Sequence, residues 1–266
     1  MPADLQSPVA RAAARLRAAA ESGKPCAPVR DLLGSTDVAL GYAVQQANIS
    51  AAYAAGRARV GRKIGLTSTA VQRQLGVDQP DFGSLLDDMR VPLGGTVAPG
   101  RLLQPKVEAE VAFVLGADLD GSLVSVDDVR PAVVGVAAAI EIVDSRIDNW
   151  DISIVDTVAD NASSALFVMA DTMLPLSEVD PAAVRMMLRR NGDIVSTGDG
   201  RACLGDPLNA LLWLARTAQD LKDPLRAGEI VLSGALGPMV PVAVGDTIDA
   251  EITGLGSVAV SFQAEE

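Results

Sequence analysis

The chain has 266 residues, of which 49% are hydrophobic, and a formal net charge of −12 at pH 7. This length and composition allow a substantial buried core, in one large globular domain or in one domain with a smaller cap. The acidic balance argues against binding nucleic acid or an anionic membrane through a general electrostatic field, so an anionic substrate would need a local cation.

The composition also limits the chemistry. The sequence contains no histidine, which excludes a Ser-His-Asp or Cys-His apparatus and any histidine metal ligand, so acid–base work must fall to Asp, Glu, Lys, Tyr or bound water. Cys26 and Cys203 lie far apart, which favours buried thiols over a disulfide framework. The N-terminus lacks a signal peptide pattern and no apolar run is long enough for a transmembrane helix, so we expect a cytoplasmic protein.

Two helices are predicted before residue 60. Ser7 and Pro8 are typical of an N-cap and a first helical residue, and alanine, valine and leucine then recur at helical spacing until Gly23. A second helix is predicted to end at Gly56. No reactive residue stands out in either helix. We therefore interpret residues 1–59 as a helical cap that packs on the rest of the chain and walls a cleft.

A short strand is predicted at residues 60–66, followed by a brief helix capped by Thr67 or Ser68. The strand carries Lys63 between two glycines. A single lysine is usually a surface charge, but this apolar setting also fits a lysine that points into a cleft. Residues 79–83 form a Pro- and Gly-punctuated loop that presents Asp81, and on its own this segment would be an ordinary turn.

Residues 106–115 carry the main functional hypothesis. In a β-strand, Glu108 and Glu110 share one face and the apolar residues alternate onto the other face. Residues two apart on a strand lie roughly 6.5–7 Å apart at Cα, so both carboxylates can converge on one hard cation such as Mg²⁺ or Mn²⁺. The alternative is an edge strand whose polar face is solvated.

A third acid occurs in the almost wholly apolar run of residues 133–143. Burying an unpaired carboxylate costs several kcal/mol, so Glu141 either coordinates a ligand or has a raised pKa. With Glu108 and Glu110 it completes a set of three carboxylates. The polar stretches at residues 144–150 and 158–164 are predicted to be loops, where ligand contacts concentrate.

The C-terminal half is predicted to be rich in strands. Asn191-Gly192 marks a β-hairpin, and Asp206-Pro207 begins a structural helix. Further strands, separated by glycine-containing turns, are predicted at residues 229–233, 247–252 and 257–262. This spacing indicates a rolled β-structure rather than alternating βα units. The isolated Gly-x-Gly steps lack the rest of a dinucleotide-binding fingerprint.

Several separated motifs, in the right order, resemble the 2-keto-4-pentenoate hydratases of the fumarylacetoacetate hydrolase fold superfamily. The resemblance covers most of the chain. It is carried by Arg-Lys-Ile-Gly-Leu-Thr-Ser at residues 62–68, Gln-Pro-Asp-Phe-Gly at 79–83, Glu-Ala-Glu at 108–110, Glu-Ile-Val-Asp-Ser-Arg at 141–146 and Val-Ala-Asp-Asn-Ala-Ser-Ser at 158–164, while residues 228–234 and 251–256 resemble the superfamily's C-terminal signature.

The resemblance implies an α+β protein, a mixed β-roll with an N-terminal helical region, in which residues 60–266 form the catalytic domain. It implies a metal-dependent hydro-lyase that converts 2-hydroxypenta-2,4-dienoate into 4-hydroxy-2-oxopentanoate in the meta-cleavage catabolism of aromatic compounds. The site residues that it implies are the metal ligands Glu108, Glu110 and Glu141, holding Mg²⁺ or Mn²⁺, Lys63 and Asp81 facing the substrate, and Ser163 holding the substrate carboxylate.

Three alternatives stay open. The 4-oxalocrotonate decarboxylases of the same superfamily share the lysine and Glu-x-Glu motifs. They resemble this chain less at Asp81, where they carry an apolar residue, so Asp81 favours the hydratase. The carbon–carbon hydrolases use a histidine–acid pair, which this chain cannot supply. A non-catalytic partner subunit could retain the fold, but the three acids and Lys63 argue against it. The resemblance also suggests a homo-oligomer and association with other enzymes of the pathway.

Overall fold

The computed structural model describes residues 6–68, Gln72 and residues 79–263, and its N-terminal region is helical. Helix α1 begins at Ser7, whose hydroxyl accepts a hydrogen bond from the Ala10 amide, and ends at Gly23 in the left-handed conformation, so both predicted ends are confirmed. The described α-helices are α1 (Pro8–Ser22), α2 (Arg30–Leu33), α3 (Val38–Ala54), α4 (Val126–Val129), α5 (Ile154–Ala159) and α6 (Pro207–Asp220).

The strands form two sheets. The larger sheet contains β1 (Arg59–Gly65), β2 (Asp81–Leu86), β4 (Lys106–Leu115), β5 (Val133–Val143), β6 (Ser164–Met169), β9 (Ile230–Ala235) and β10 (Val240–Pro241). The smaller sheet contains β3 (Thr96–Val97), β7 (Arg185–Arg190), β8 (Asp193–Asp199), β11 (Thr247–Ile252) and β12 (Gly256–Phe262).

The strand order of the larger sheet is β2–β1–β9–β4–β5–β6, with β10 on β4, and that of the smaller sheet is β3–β12–β11–β7–β8. Pairs β1–β9 and β3–β12 are parallel, whereas neighbours such as β4–β5 and β11–β12 are antiparallel. Asn191 and Gly192, both with positive φ, join β7 to β8 and confirm the predicted hairpin. The sheets are therefore mixed and rolled, as the sequence indicated.

The main core lies between the two sheets. Val107, Val111 and Phe113 of β4 pack in the same apolar cluster as Ile248 of β11 and Val260 of β12. The other face of β4, which carries the glutamates, is also buried, and β4 lies between β9 and β5 inside the sheet. The alternative of a solvated edge strand is therefore wrong.

Two segments differ from the loops that the sequence suggested. Asp81, Phe82 and Gly83 begin β2, antiparallel to β1, and helix α5 ends at Ala159, inside the segment predicted to be a loop. Both cysteines are free, but only Cys203 is buried. The brief helix predicted after Thr67 or Ser68 lies mostly outside the described residues.

The N-terminal helices pack on α5 through an apolar cluster that includes Leu16 of α1, Val44 of α3 and Val155 of α5. The division into a cap of residues 1–59 and a catalytic part of residues 60–266 stays a prediction. None of the described helices combines the length and the apolar character that crossing a membrane requires.

Candidate metal centre

Three buried carboxylates from two neighbouring strands form one cluster. Glu108 on β4 lies directly opposite Glu141 on β5, and Glu110 lies opposite Ala139, so all three acids project from the same face of the sheet. One oxygen from each acid lies within 4.8 Å of the others. An all-oxygen donor set of this kind suits a hard divalent cation.

Three oxygens of the cluster have no hydrogen-bond partner among the described residues. Glu110 Oε1 and both oxygens of Glu141 are buried and accept no hydrogen bond from the residues that the structure describes. Because buried polar groups are normally paired, these oxygens fit the role of ligands for a cation. The three carboxylates therefore fit a resident divalent metal ion, because their free oxygens are the donors that such an ion binds.

The second oxygen of Glu110 is held by the protein backbone. The amide of Gly234, at the end of β9, donates a hydrogen bond of 2.7 Å to Glu110 Oε2. Gly234 has a φ of 110°, and a Cβ at this position would lie 2.4 Å from Thr67 Oγ1, so only glycine fits there. Sequence reasoning missed Gly234, although a glycine near a strand end is a signal for close backbone approach.

Lys63 is the cation of the cluster. Its side chain is only 3% exposed, and its Nζ lies 3.3 Å from Glu141 Oε1. Burial by itself lowers the pKa of Lys63, but the attraction of Glu141 and Asp81 outweighs burial and raises the pKa above its ordinary value. The ammonium group therefore stays charged, and the alternative of a surface lysine is wrong.

Burial and mutual repulsion also raise the pKa values of two of the carboxyl groups, Glu108 and Glu110. Burial, reinforced by the negative charge of Glu141, raises the pKa of Glu108 to about 8. The same two causes raise the pKa of Glu110 well above its ordinary value. Without a cation the cluster therefore retains protons, whereas a bound divalent ion would favour the ionised ligands.

Asp81 lies beside Lys63 on the same face of the sheet. Asp81 is the first residue of β2 and pairs with Gly65 of β1, where a Cβ would lie 2.3 Å from Asp81 Oδ1 and 3.4 Å from Lys63 Nζ. Gly65 thus leaves the space that the two charged groups share. Burial raises the pKa of Asp81 above its ordinary value. The positive charge of Lys63 acts in the opposite direction but is the smaller effect. Asp81 Oδ1 is buried without a hydrogen-bond partner among the described residues.

Ser163 lies at the end of a turn with unusual backbone geometry. Asn161, Ala162 and Ser163 have φ values of 56°, 52° and 53°, a conformation that costs roughly 1 kcal/mol or more for each residue other than glycine. The Asn161 side chain holds the turn against β2, since it accepts from the Ser84 amide at 2.8 Å and donates to the Ser84 carbonyl at 2.9 Å. Such strained turns are concentrated at functional sites.

Thr157 of α5 connects Asp81 with Ser163. Its Oγ1 lies 3.4 Å from Asp81 Oδ2 and 3.4 Å from Ser163 Oγ, and all three side chains are buried. The structure thus brings the six residues that the resemblance implied into one connected region. Sequence reasoning missed Thr157, because a single threonine in a short helix carries no recognisable signal.

The fold and the carboxylate cluster define a protein of the fumarylacetoacetate hydrolase type. The model of the fumarylacetoacetate (FAA) hydrolase C-terminal family matches residues 60–263, so the chain belongs to this family. TodF product hydratase of Pseudomonas putida strain F1 is 56% identical over 254 residues, which cover 96% of this chain and 95% of that protein. 2-Keto-4-pentenoate hydratase 1 of Dechloromonas aromatica is 56% identical over 251 residues, covering 94% of this chain and 95% of that protein.

A solved structure extends the comparison. The 4-oxalocrotonate decarboxylase from Pseudomonas putida G7, complexed with magnesium and adipate, matches with a TM-score of 0.92 and 35% identity over 96% of this chain and 97% of that chain. A second structure of that enzyme is complexed with calcium and acetate. The predicted family and the predicted α+β fold with an N-terminal helical region are therefore confirmed.

Proposed function

We propose that the chain is a metal-dependent hydratase that adds water to 2-hydroxypenta-2,4-dienoate (2-keto-4-pentenoate) and releases 4-hydroxy-2-oxopentanoate, in the meta-cleavage catabolism of aromatic compounds. The observation that carries this proposal is the buried cluster of three carboxylates with a charged lysine beside it. The cluster occurs in a chain that is more than half identical, over nearly its whole length, to proteins named as hydratases of this kind.

Glu108, Glu110 and Glu141 would hold the ion, and their oxygen donors favour Mg²⁺ or Mn²⁺. When bound, the ion supplies Lewis acidity toward the negative charge that develops on the 2-oxygen of the substrate. The Gly234 amide fixes one oxygen of Glu110, which leaves the other free as a ligand.

Lys63 adjusts the charge of the site to an anionic substrate. Three carboxylates and one divalent ion leave a charge of about −1, which would repel the carboxylate of the dienoate. The buried ammonium group of Lys63, 3.3 Å from Glu141, offsets that charge where little water screens it. We therefore assign Lys63 to binding the substrate anion and stabilising its developing charge.

Asp81 is the group that moves a proton or orients the attacking water. Its Oδ1 is buried, has no partner among the described residues and lies in the space that Gly65 leaves open beside Lys63. Burial raises the pKa of the Asp81 carboxyl above its ordinary value, which moves the group toward the range that general acid–base catalysis needs. Ser163, whose Oγ lies 3.4 Å from Thr157 Oγ1, would hold the substrate carboxylate.

The competing activity is decarboxylation of 4-oxalocrotonate. It is favoured by the TM-score of 0.92 to the decarboxylase structure, whereas Asp81 and the higher identity to the hydratases favour hydration. The test is an ultraviolet assay of the metal-loaded protein with freshly prepared 2-hydroxypenta-2,4-dienoate and, separately, with 4-oxalocrotonate. Formation of 4-hydroxy-2-oxopentanoate supports the proposal. Release of carbon dioxide with no hydration would overturn it in favour of the decarboxylase.

The substrate is thus a small organic acid, and the 2-hydroxy-dienoate is the particular acid that we propose. We also propose that the protein acts in the cytoplasm as a homo-oligomer and associates with other enzymes of the same pathway. A non-catalytic partner subunit is the weaker alternative, because the carboxylates, Lys63 and Asp81 are all present and in contact range.

A further inference from the structure

We infer that Thr157 is a positioning residue of the reaction, whose hydroxyl aligns Asp81 with Ser163 and leaves Asp81 Oδ1 as the oxygen that works on the substrate or its water. The inference rests on the proposed function, because it deepens the roles of Asp81 and Ser163. It concerns a residue to which the sequence motifs gave no role.

The contacts of Asp81 are asymmetric. Thr157 Oγ1 lies 3.4 Å from Asp81 Oδ2, whereas Asp81 Oδ1 has no hydrogen-bond partner among the described residues. Oδ1 instead occupies the space next to Gly65, 2.3 Å from where a Cβ would be and on the side of Lys63. Holding Oδ2 therefore fixes the rotation of the carboxyl group and directs Oδ1 toward the charged centre.

The same hydroxyl also fixes Ser163. A threonine hydroxyl donates one hydrogen bond and accepts others, so Thr157 cannot donate to Asp81 and to Ser163 at once. When Thr157 donates to the carboxylate of Asp81, it must accept from Ser163 Oγ, which lies 3.4 Å away. One hydroxyl thus sets the orientation of two side chains that we assign to the substrate.

Helix α5 holds the backbone of Thr157 in a fixed position. Every residue of α5 is buried, and Ser153 and Asp156 form a capping box at its start. Asp156 Oδ1 accepts hydrogen bonds of 2.8 Å from the backbone amides of Val29 and Arg30, and its Oδ2 pairs with the Arg30 guanidinium at 2.8 Å. The N-terminal region therefore anchors Asp156 on one side of α5, while the adjacent Thr157 contacts the site on the other.

The test compares Thr157→Val, which removes the hydroxyl at nearly constant volume, with Thr157→Ser, which retains it. We expect Thr157→Val to lower kcat for the dienoate by about three- to tenfold, the usual scale of one hydrogen bond, and Thr157→Ser to retain most of the activity. The matched control is Thr217→Val, which removes a hydroxyl bonded to the Trp213 carbonyl at 2.9 Å in α6 and should leave kcat unchanged.

A double-mutant cycle separates positioning from general structural damage. If Thr157 acts through Asp81, Thr157→Val should have little further effect on kcat in an Asp81→Asn background. Equal loss in both backgrounds, or a Thr157→Val enzyme with the parental kcat, would overturn the inference while leaving the hydratase assignment intact.

A readout that needs no activity keeps the two proposals distinguishable. In crystal structures of the metal-free proteins, the Asp81 carboxyl should leave its position in Thr157→Val and keep it in Thr157→Ser. An Asp81 side chain that stays in place in Thr157→Val refutes the positioning role. Failure of the parent to hydrate the dienoate refutes the proposed function. Even in that case, the position of the Asp81 carboxyl in these structures decides whether Thr157 positions Asp81.

Discussion

The metal-free protein should become less stable as the pH rises, because of Glu108. Burial and the negative charge of Glu141 raise its pKa from an ordinary value of 4.5 to about 8 in the folded state. Between these two values the folded protein holds a proton that the unfolded chain has already released, so the free energy of unfolding falls as the pH increases. At about 1.4 kcal/mol for each pH unit, this single group costs about 3 kcal/mol by pH 7.

Glu108→Gln removes this cost, since the amide does not ionise. At pH 7 and in the presence of chelator, we expect the variant to be more stable than the parent by up to about 3 kcal/mol, and the difference to vanish near pH 4.5. With saturating Mg²⁺ or Mn²⁺ the order should reverse, because the parent binds the ion through all three carboxylates and the variant through two.

The measurement is urea unfolding at several pH values, with chelator and with metal, using Glu21→Gln at an exposed helix position as the control. Parallel loss of stability in the parent and in Glu108→Gln between pH 4.5 and pH 8 would refute the reasoning. So would a variant that stays more stable than the parent at saturating metal.

Three further predictions concern the reaction. Glu110→Gln or Glu141→Gln should weaken Mn²⁺ binding, measured by calorimetry, together with turnover; full activity in excess chelator would contradict a metal centre. Lys63→Met should preserve the fold, seen by circular dichroism, and lower kcat/KM for the dienoate, whereas an unchanged rate and affinity would remove Lys63 from the site. Asp81→Asn should lower turnover by about 10²–10⁴-fold while oxalate, which mimics the substrate's two chelating oxygens, binds as it does to the parent; a parental rate would make Asp81 a structural residue.

The sequence predicted those parts of the fold and site that depend on local patterns. The alternation around Glu108 and Glu110 placed both acids on one face, since alternation is a property of any single strand. The ends of α1 followed from Ser7 and Gly23, whose side-chain chemistry acts within one helical turn.

What the sequence could not predict depends on contacts between distant segments. The direct pairing of Glu108 with Glu141 is a matter of strand register, which no single segment encodes. Asp81 follows a proline and precedes a glycine at position 83, a typical turn composition, yet pairing with β1 makes it a strand residue. Helix α5 is short and buried on all sides, so it lacks the one-sided apolar pattern by which helices are recognised.

The anchoring of Asp156 by the Val29 and Arg30 amides has a consequence for how the protein is made. These partners are separated by 127 and 126 residues, so a ribosome completes α1 and α3 well before it reaches α5. At ordinary rates of synthesis, the N-terminal helices expose, for about ten seconds, the apolar surface that α5 later covers. Translation that stops before residue 154 should therefore release a fragment whose N-terminal helices expose this surface and aggregate.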